Sequence, residues 1–434
     1  MKRDRIINAF YVLFVLVLVI RLLGSIKAGY EKESWHITEF LINYQGGFVR
    51  RGLLGEILYQ ISQHLHLSPY LIIILLSLIA YLFLIYFFLK SFIVKGYPVF
   101  LFPFVFFLGN PIINDFWVRK DVIELLLFIA AMYFITKGGK FVIALVNLFL
   151  VIGILIHESI AFFGLPFIFL LLYHRNQKVY TSQARSFVYN ISIASLQLLP
   201  AFITFISIAY FKGTLKIASS IWRSWNNINF PIEQGGNEAP PAAIDGISWT
   251  LAEGLSYFGA TIKNFDFDIY APFAWALIIS SIYFILININ NLNFRILNYK
   301  PILSFNIAHL SSLLIIQLFA VAPLFILGWD YGRWVFLWTS STFAILLIVP
   351  KQTLTDILPS TFVCISAYIN RQLNSSLSNS KSFLTLMCLI VGVPSYNWSI
   401  IKYVETLAPI LILQFLSDTF YKVVVLVKGM LSFS

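Results

Sequence analysis

The sequence predicts an all-α fold, a polytopic membrane helix bundle of about twelve transmembrane or re-entrant helices with two larger outer loops. Three observations carry that expectation. Of the 434 residues, 59% are hydrophobic and only 11% are charged, against about 25% charged in a soluble domain, and mean hydropathy is +0.84. Apolar runs recur along the whole chain at lengths suited to a hydrocarbon core of about 30 Å, which needs about 20 helical residues. Lysine and arginine crowd onto alternate connections between those runs, as membrane orientation requires.

The elements follow in order. The start, Met1 to Arg5 and then Ile7 to Gly24, has the charged head of a signal peptide. Its apolar stretch is long for such a leader and no A-x-A site follows, so 7–25 reads as an uncleaved first span. Residues 26–68 form the first outer loop. Its second half places Leu53, Leu54, Ile57, Leu58, Ile61 and Leu65 at helical spacing, predicting an amphipathic helix against the bundle. Spans follow at 69–89, 97–113, 122–136, 141–156, 159–173 and 186–211. The second large outer loop, 212–270, has turn residues at its centre (Pro231, Gly235, Gly236, Pro240, Pro241) and aromatics around them (Trp222, Trp225, Phe230, Trp249, Tyr257, Phe258). A long loop this aromatic is expected to fold over the outer face. The remaining spans are 271–291, 302–327, 334–350, 382–397 and 406–427. Helices are required because backbone in lipid must satisfy its hydrogen bonds internally.

This arrangement puts both termini on the cytoplasmic side. The inner connections then hold 17 of the 30 basic residues but only three of the 19 acids, Asp4, Asp356 and Asp418. The net charge of +11 is therefore a positive-inside signature and not a nucleic-acid-binding one. Two cysteines, Cys364 and Cys388, provide neither a disulfide framework nor a metal motif.

Four outer junctions carry charge that a plain span would not need. The first is Gly46-Gly47-Phe48-Val49-Arg50-Arg51-Gly52, where adjacent guanidinium forks suit phosphate or carboxylate; the blander reading is interfacial anchoring. The second runs from Asn110 through Asp115, Arg119, Lys120 and Asp121 to Glu124. On a helix, Asp115–Arg119 and Lys120–Glu124 would simply be local i,i+4 pairs. Yet Glu124 falls inside an apolar span, where an ionisable group defaults to a functional reading. The third is His157-Glu158. The apolar stretch around it, 141–173, would be about 50 Å long as one helix, so a hairpin is predicted with arms of about 24 Å or less. Its turn then sits in a recess. A pair that merely fastens helices is the alternative, and no zinc-ligand spacing is present. The fourth is Gly328-Trp329-Asp330-Tyr331-Gly332-Arg333-Trp334, an acid and a base between interfacial aromatics. The turn Pro394-Ser395-Tyr396-Asn397-Trp398 lies on the same face and offers further aromatics.

Together these junctions read as one outward-facing polar vestibule. Arg50, Arg51, Arg119, Lys120, Asp121 and Arg333 are the candidate diphosphate-binding residues. Glu158 with His157 is the first candidate base and Asp330 the second, with Glu39 and Asp121 also on that face. Cations at a membrane boundary suit a pyrophosphate beneath the headgroups, aromatic loops suit sugars, and a carboxylate or histidine can deprotonate an acceptor hydroxyl. No metal or cofactor is required. The implied partners are a polyprenyl-diphosphate-linked glycan and membrane lipid, with no nucleic acid.

The run Gly47-Phe48-Val49-Arg50-Arg51-Gly52-Leu53, with Arg119-Lys120-Asp121, His157-Glu158 and Asp330-Tyr331-Gly332-Arg333-Trp334, resembles multi-pass proteins of bacterial surface-polysaccharide clusters. The layout is also similar to Wzy-type O-antigen and capsule polymerases and to GT-C-type membrane glycosyltransferases. That resemblance implies a polymerase or glycosyltransferase in the bacterial inner membrane, acting at its outer face on lipid-linked sugars. The sequence departs from the GT-C pattern in lacking paired acids in the first loop, where Glu31, Glu33 and Glu39 stand apart. The competing expectation is a transporter or flippase for lipid-linked oligosaccharide or another anion, for which broken helices and internal repeats are the marks. Pro166 and Pro200 are placed to break helices, and no repeat is visible.

Overall fold

In a computed structural model, residues 2–97, 104–179, 187–228, 230, 239–250, 252–253, 255–256, 271–292, 303–396 and 398–431 are described. Among them every regular element is helical. Helix α1 (Lys2–Ala28) is followed by the short α2 (Trp35–Thr38) with a 3₁₀ turn at Glu39–Leu41, then α3 (Gly52–Leu65) and α4 (Pro69–Val94). Pro69 takes the first position of α4, where its missing N–H costs nothing. Along α4, Ile73, Tyr81, Leu84 and Phe88 are buried, while Leu71, Leu75, Ile79 and Phe83 stay open. Such an apolar outer face is what lipid covers.

The expected amphipathic helix in the first loop is α3, with Leu54 and Leu58 buried and Ile57 and Leu65 exposed. Two glycines decide where it sits. A Cβ on Gly55 would lie 1.9 Å from the Ile42 carbonyl oxygen, and one on Gly52 would lie 2.3 Å from the Tyr44 ring. Only hydrogen fits between α3 and residues 40–44 beneath it.

The hairpin around His157-Glu158 is present. Helix α6 (Asp121–Lys137) packs on α7 (Val142–Ile156), which turns through 157–158 into α8 (Ser159–Phe163) and α9 (Leu165–Val179). Beyond them, α10 (Phe187–Gln197) and α11 (Leu199–Tyr210) meet at a 65° bend. The bend strands the Gln197 carbonyl, which accepts the Asn147 Nδ2–H at 2.6 Å. Helix α12 (Leu215–Asn226) and the short α13 (Ala242–Asp245) come from the second loop. Its predicted centre (Pro231, Gly235, Gly236), together with Tyr257 and Phe258, lies outside the described residues.

The second half contains α14 (Ala271–Ile287), α15 (Ile307–Leu327), α16 (Tyr331–Ile348), α17 (Lys351–Ile357), α18 (Ser360–Ser376), α19 (Lys381–Ile390), α20 (Ile400–Glu405) and α21 (Ala408–Leu431). Helix α16 is the hub: it packs on α15 and α6, and its residues 332–347 are all buried.

Among the described residues, four helices are long and apolar enough to cross a membrane, or up to six if each bent pair is one span. Besides 186–211, which is the bent pair α10 and α11, two expected spans differ from what is observed. The described part of 97–113 is a run of turns ending in the four-residue α5 (Asn110–Ile113). Irregular backbone is tolerated at depth where protein satisfies it. Here Tyr81 Oη–H donates to the Leu108 carbonyl at 2.5 Å and Thr339 Oγ1–H to that of Phe106 at 2.7 Å. In 382–397 the helix stops at Ile390 and the chain continues extended to its turn. Conversely, α18 lies in what reads as a connection. Polar pairing holds it: Tyr283 Oη–H donates to Asn370 Oδ1 at 2.8 Å, Asn288 Nδ2–H donates to Asn374 Oδ1 at 3.0 Å, and the Ser312 and Ser366 hydroxyls pair at 3.0 Å.

Candidate functional site

The charged junctions converge. Arg51 precedes α3, Lys120 precedes α6, Glu158 precedes α8 and Asp330 precedes α16. Four helix starts thus aim at one place, and Glu39 enters from the 3₁₀ turn after α2.

At its centre Arg333 grips Asp121 as a two-pronged fork, Nε to Oδ2 at 2.8 Å and Nη2 to Oδ1 at 2.9 Å, and its Nη1 pairs with Asp330. Arg119 lies between Glu39 (Nε to Oε2, 2.5 Å) and Asp330 (Nη2 to Oδ2, 3.5 Å), with the Trp35 ring 5.9 Å away. Lys120 Nζ–H donates to the Arg51 carbonyl at 3.0 Å. Arg51 in turn holds Glu158 through Nε, at 2.8 Å to Oε2 and 3.1 Å to Oε1, and through Nη2.

His157 sits in the middle. The Ser159 N–H donates to its Nδ1 at 3.2 Å, which leaves the imidazole proton on Nε2. Nε2 faces Glu39 Oε1 at 3.8 Å, and Nδ1 lies 3.9 Å from Glu124 and 4.0 Å from Glu158. Glu124 accepts the Ser159 hydroxyl and the Ile160 N–H, the latter at 3.2 Å.

The electrostatics follow from burial and pairing. Burial alone would raise the Glu39 carboxyl, but nearby cations, Arg119 and Arg333 foremost, outweigh it and hold the group below its usual range. Burial likewise opposes ionised Glu158, yet Arg51 keeps its carboxyl well below the ordinary value. Burial pushes the Lys120 ammonium down to about 8. Burial and the adjacent Arg51 push His157 well down, consistent with a neutral ring.

The arrangement differs from an open vestibule lined by free cations. Arg51, Arg119 and Arg333 are each committed to carboxylates. Lys120 and Asp121 are fully buried, and Arg119 and Arg333 nearly so. Only Arg51 (20% of the side chain open), Glu158 (18%) and Asp330 (23%) reach the surface. Two layers result: three groups that an incoming molecule can touch, and a buried layer that holds them.

Other expected residues lie outside the ion-pair network, although Arg50 is near enough to help hold the Glu158 carboxyl down. Arg50 donates from Nη2 to the Gly246 carbonyl at 2.8 Å and from its backbone N–H to that of Phe211 at 3.1 Å, strapping the two large loops together. Asp115 makes no i,i+4 pair, because the helix begins only at Asp121. Its Oδ1 accepts from Tyr30 Oη at 2.7 Å and Ser25 Oγ at 2.8 Å, tying down the end of α1. Nor does Lys120 pair with Glu124. The 394–398 turn docks on α16: Gly332 N–H donates to the Ser395 carbonyl at 3.1 Å, and a Cβ on Gly332 would lie 2.6 Å from the Pro394 oxygen. Asn397 lies outside the described residues. Sequence reasoning missed Ser159 and Trp35; a lone serine or tryptophan carries no distinguishing local signal. Comparison with family models, with curated proteins and with solved structures returned no match.

Proposed function

We propose that the chain is a multi-pass enzyme of bacterial surface-polysaccharide assembly. It transfers sugar from a polyprenyl-diphosphate carrier at the outer face of the cytoplasmic membrane, as a polymerase or glycosyltransferase. About twelve crossing or re-entrant segments place both termini in the cytoplasm and the ion-pair cluster on the opposite side. The observation that carries the reading is the convergence of four sequence-distant charged junctions on one network, of which only Arg51, Glu158 and Asp330 are open. A partly open guanidinium paired with a partly open carboxylate, with a second such carboxylate in the same network, is the equipment this reaction needs. A carboxylate takes the acceptor hydroxyl proton. The acceptor oxygen bonds to the sugar carbon as the bond to diphosphate breaks, and the arginine stabilises the charge on the departing group.

The test is to replace Arg119, Glu158 and Arg333 singly by alanine in the host, with protein abundance as control. Surface polysaccharide length is read on gels and lipid-linked precursors by mass spectrometry. Single repeat units without long chains are expected for a polymerase, and truncated precursors for a transferase. Unchanged polysaccharide and precursors in all three abundant variants would sink the reading.

The two sharply bent helix pairs, at 65° and 117°, favour one second reading, a flippase or transporter for an anionic lipid-linked glycan, since broken helices accompany transport sites. That reading expects complete precursors trapped on the cytoplasmic leaflet in the same variants.

A further inference from the structure

We infer that the Arg51–Glu158 contact is a mask on the base: a diphosphate that engages Arg51 displaces Glu158 and so frees the carboxylate to accept the acceptor's proton. The inference rests on the proposed reading of the cluster as a diphosphate site.

Three observations lead to it. First, Arg51 is the only arginine of the buried network with appreciable exposure; Arg119 and Arg333 show 4% each. Of the three arginines paired with carboxylates, Arg51 is the one an approaching anion can reach. Second, the guanidinium edge it would meet is already occupied, because Nε and Nη2 both donate to Glu158. A carboxylate chelated in this way is a weak base. Diphosphate carries more charge than a carboxylate and matches the same fork, so it competes for the same donors.

Third, the two backbones are held in place while the paired side chains are partly open. Arg51 sits at φ 65°, a left-handed conformation that a non-glycine residue rarely holds. Its carbonyl is tied to Lys120, and the close seat of Gly52 and Gly55 locks the helix that follows. Glu158 is fixed in the turn between α7 and α8, with His157 Nδ1 4.0 Å from its Oε2. Displacement therefore needs only rotamer changes at a partly open pair. Freed from Arg51, Glu158 stays in a largely buried turn, where low polarity favours its protonated form. It then takes the hydroxyl proton, the acceptor oxygen forms the new bond to the sugar carbon, and diphosphate leaves with the bonding electron pair against Arg51. The base is thus unmasked only when the donor is in place.

The test is equilibrium binding of geranyl diphosphate to the purified full-length protein in detergent. Glu158→Gln removes the competing charge and is expected to bind about tenfold more tightly than the wild type. Glu158→Ala should change in the same direction. Arg51→Gln should bind at least about tenfold more weakly, and in the Arg51→Gln, Glu158→Gln double variant the tightening should vanish. Thermal unfolding confirms that each variant is folded. Equal or weaker binding by folded Glu158→Gln and Glu158→Ala, with the wild type still binding, overturns the mask and leaves the diphosphate site standing. A wild type that binds neither geranyl diphosphate nor inorganic pyrophosphate overturns both.

Discussion

Arg333 and Asp121 form the most enclosed pair of the cluster, with the guanidinium fork and carboxylate meeting at 2.8 and 2.9 Å. Removing one partner of a buried pair strands the other charge, which costs about 3–5 kcal/mol. Asp121→Ala is therefore expected to lower stability by that amount, read by thermal unfolding in detergent. A loss under about 1 kcal/mol would mean that Asp330 alone satisfies Arg333. Lys120 supplies a pH signature. Its pKa falls from 10.5 to about 8 on burial. Between those values the unfolded chain binds more protons than the folded one, so stability rises with pH across that window. Below pH 8 the cost of the buried ammonium is fully present. At ~1.4 kcal/mol per unit, the wild type should gain on the order of 3 kcal/mol over Lys120→Met between pH 8 and 10.5. A pH-independent difference between the two would rule this out.

At the scale of elements, helix α3 is the part whose placement the site depends on. It begins just after Arg51, and Gly55 lets it lie 1.9 Å, measured from a would-be Cβ, from the Ile42 oxygen. No side chain yields there, because the obstacle is backbone. Gly55→Ala should cost ~2 kcal/mol or more and displace Arg51 from Glu158. Diphosphate-probe binding and thermal unfolding should therefore both change. Normal stability with normal binding in Gly55→Ala would show that α3 can shift without consequence. The α7–α8 hairpin acts similarly. Its first arm, α7, has only 15 residues, whereas the second, 159–178, is longer than the sequence predicts and long enough to cross a membrane; the turn between them sets His157 and Glu158 among α6 and the Glu39 turn.

At the scale of the whole molecule, the proposed topology sets the cluster against the end bearing Lys178 and Asp356, which pair at 3.0 Å. With Cys364 and Cys388 replaced by serine, cysteines at Phe48 and Gln177, both exposed, should label differently. An impermeant thiol reagent applied to intact spheroplasts is expected to modify the first at once and the second only after permeabilisation. Equal labelling of both would refute the proposed sidedness.

Composition and apolar run length by themselves determined the all-helical character, because burying apolar residues in helices is a local consequence of their pattern. They also placed the hairpin turn at His157-Glu158 and the amphipathic α3, since both are legible in spacing. They misjudged 97–113, 382–397 and α18 for one reason. Whether an apolar run coils fully, or a polar run becomes a packed helix, depends on partners distant in sequence: Tyr81 and Thr339 for the first, Tyr283 and Asn288 for α18. The charged residues themselves were all visible as anomalies. Only the tertiary structure decided that Arg119 belongs to Glu39, Arg333 to Asp121 and Arg51 to Glu158. Ion pairing depends on approach in space within a few ångströms, and spacing along the chain carries no information about that for residues so far apart in sequence.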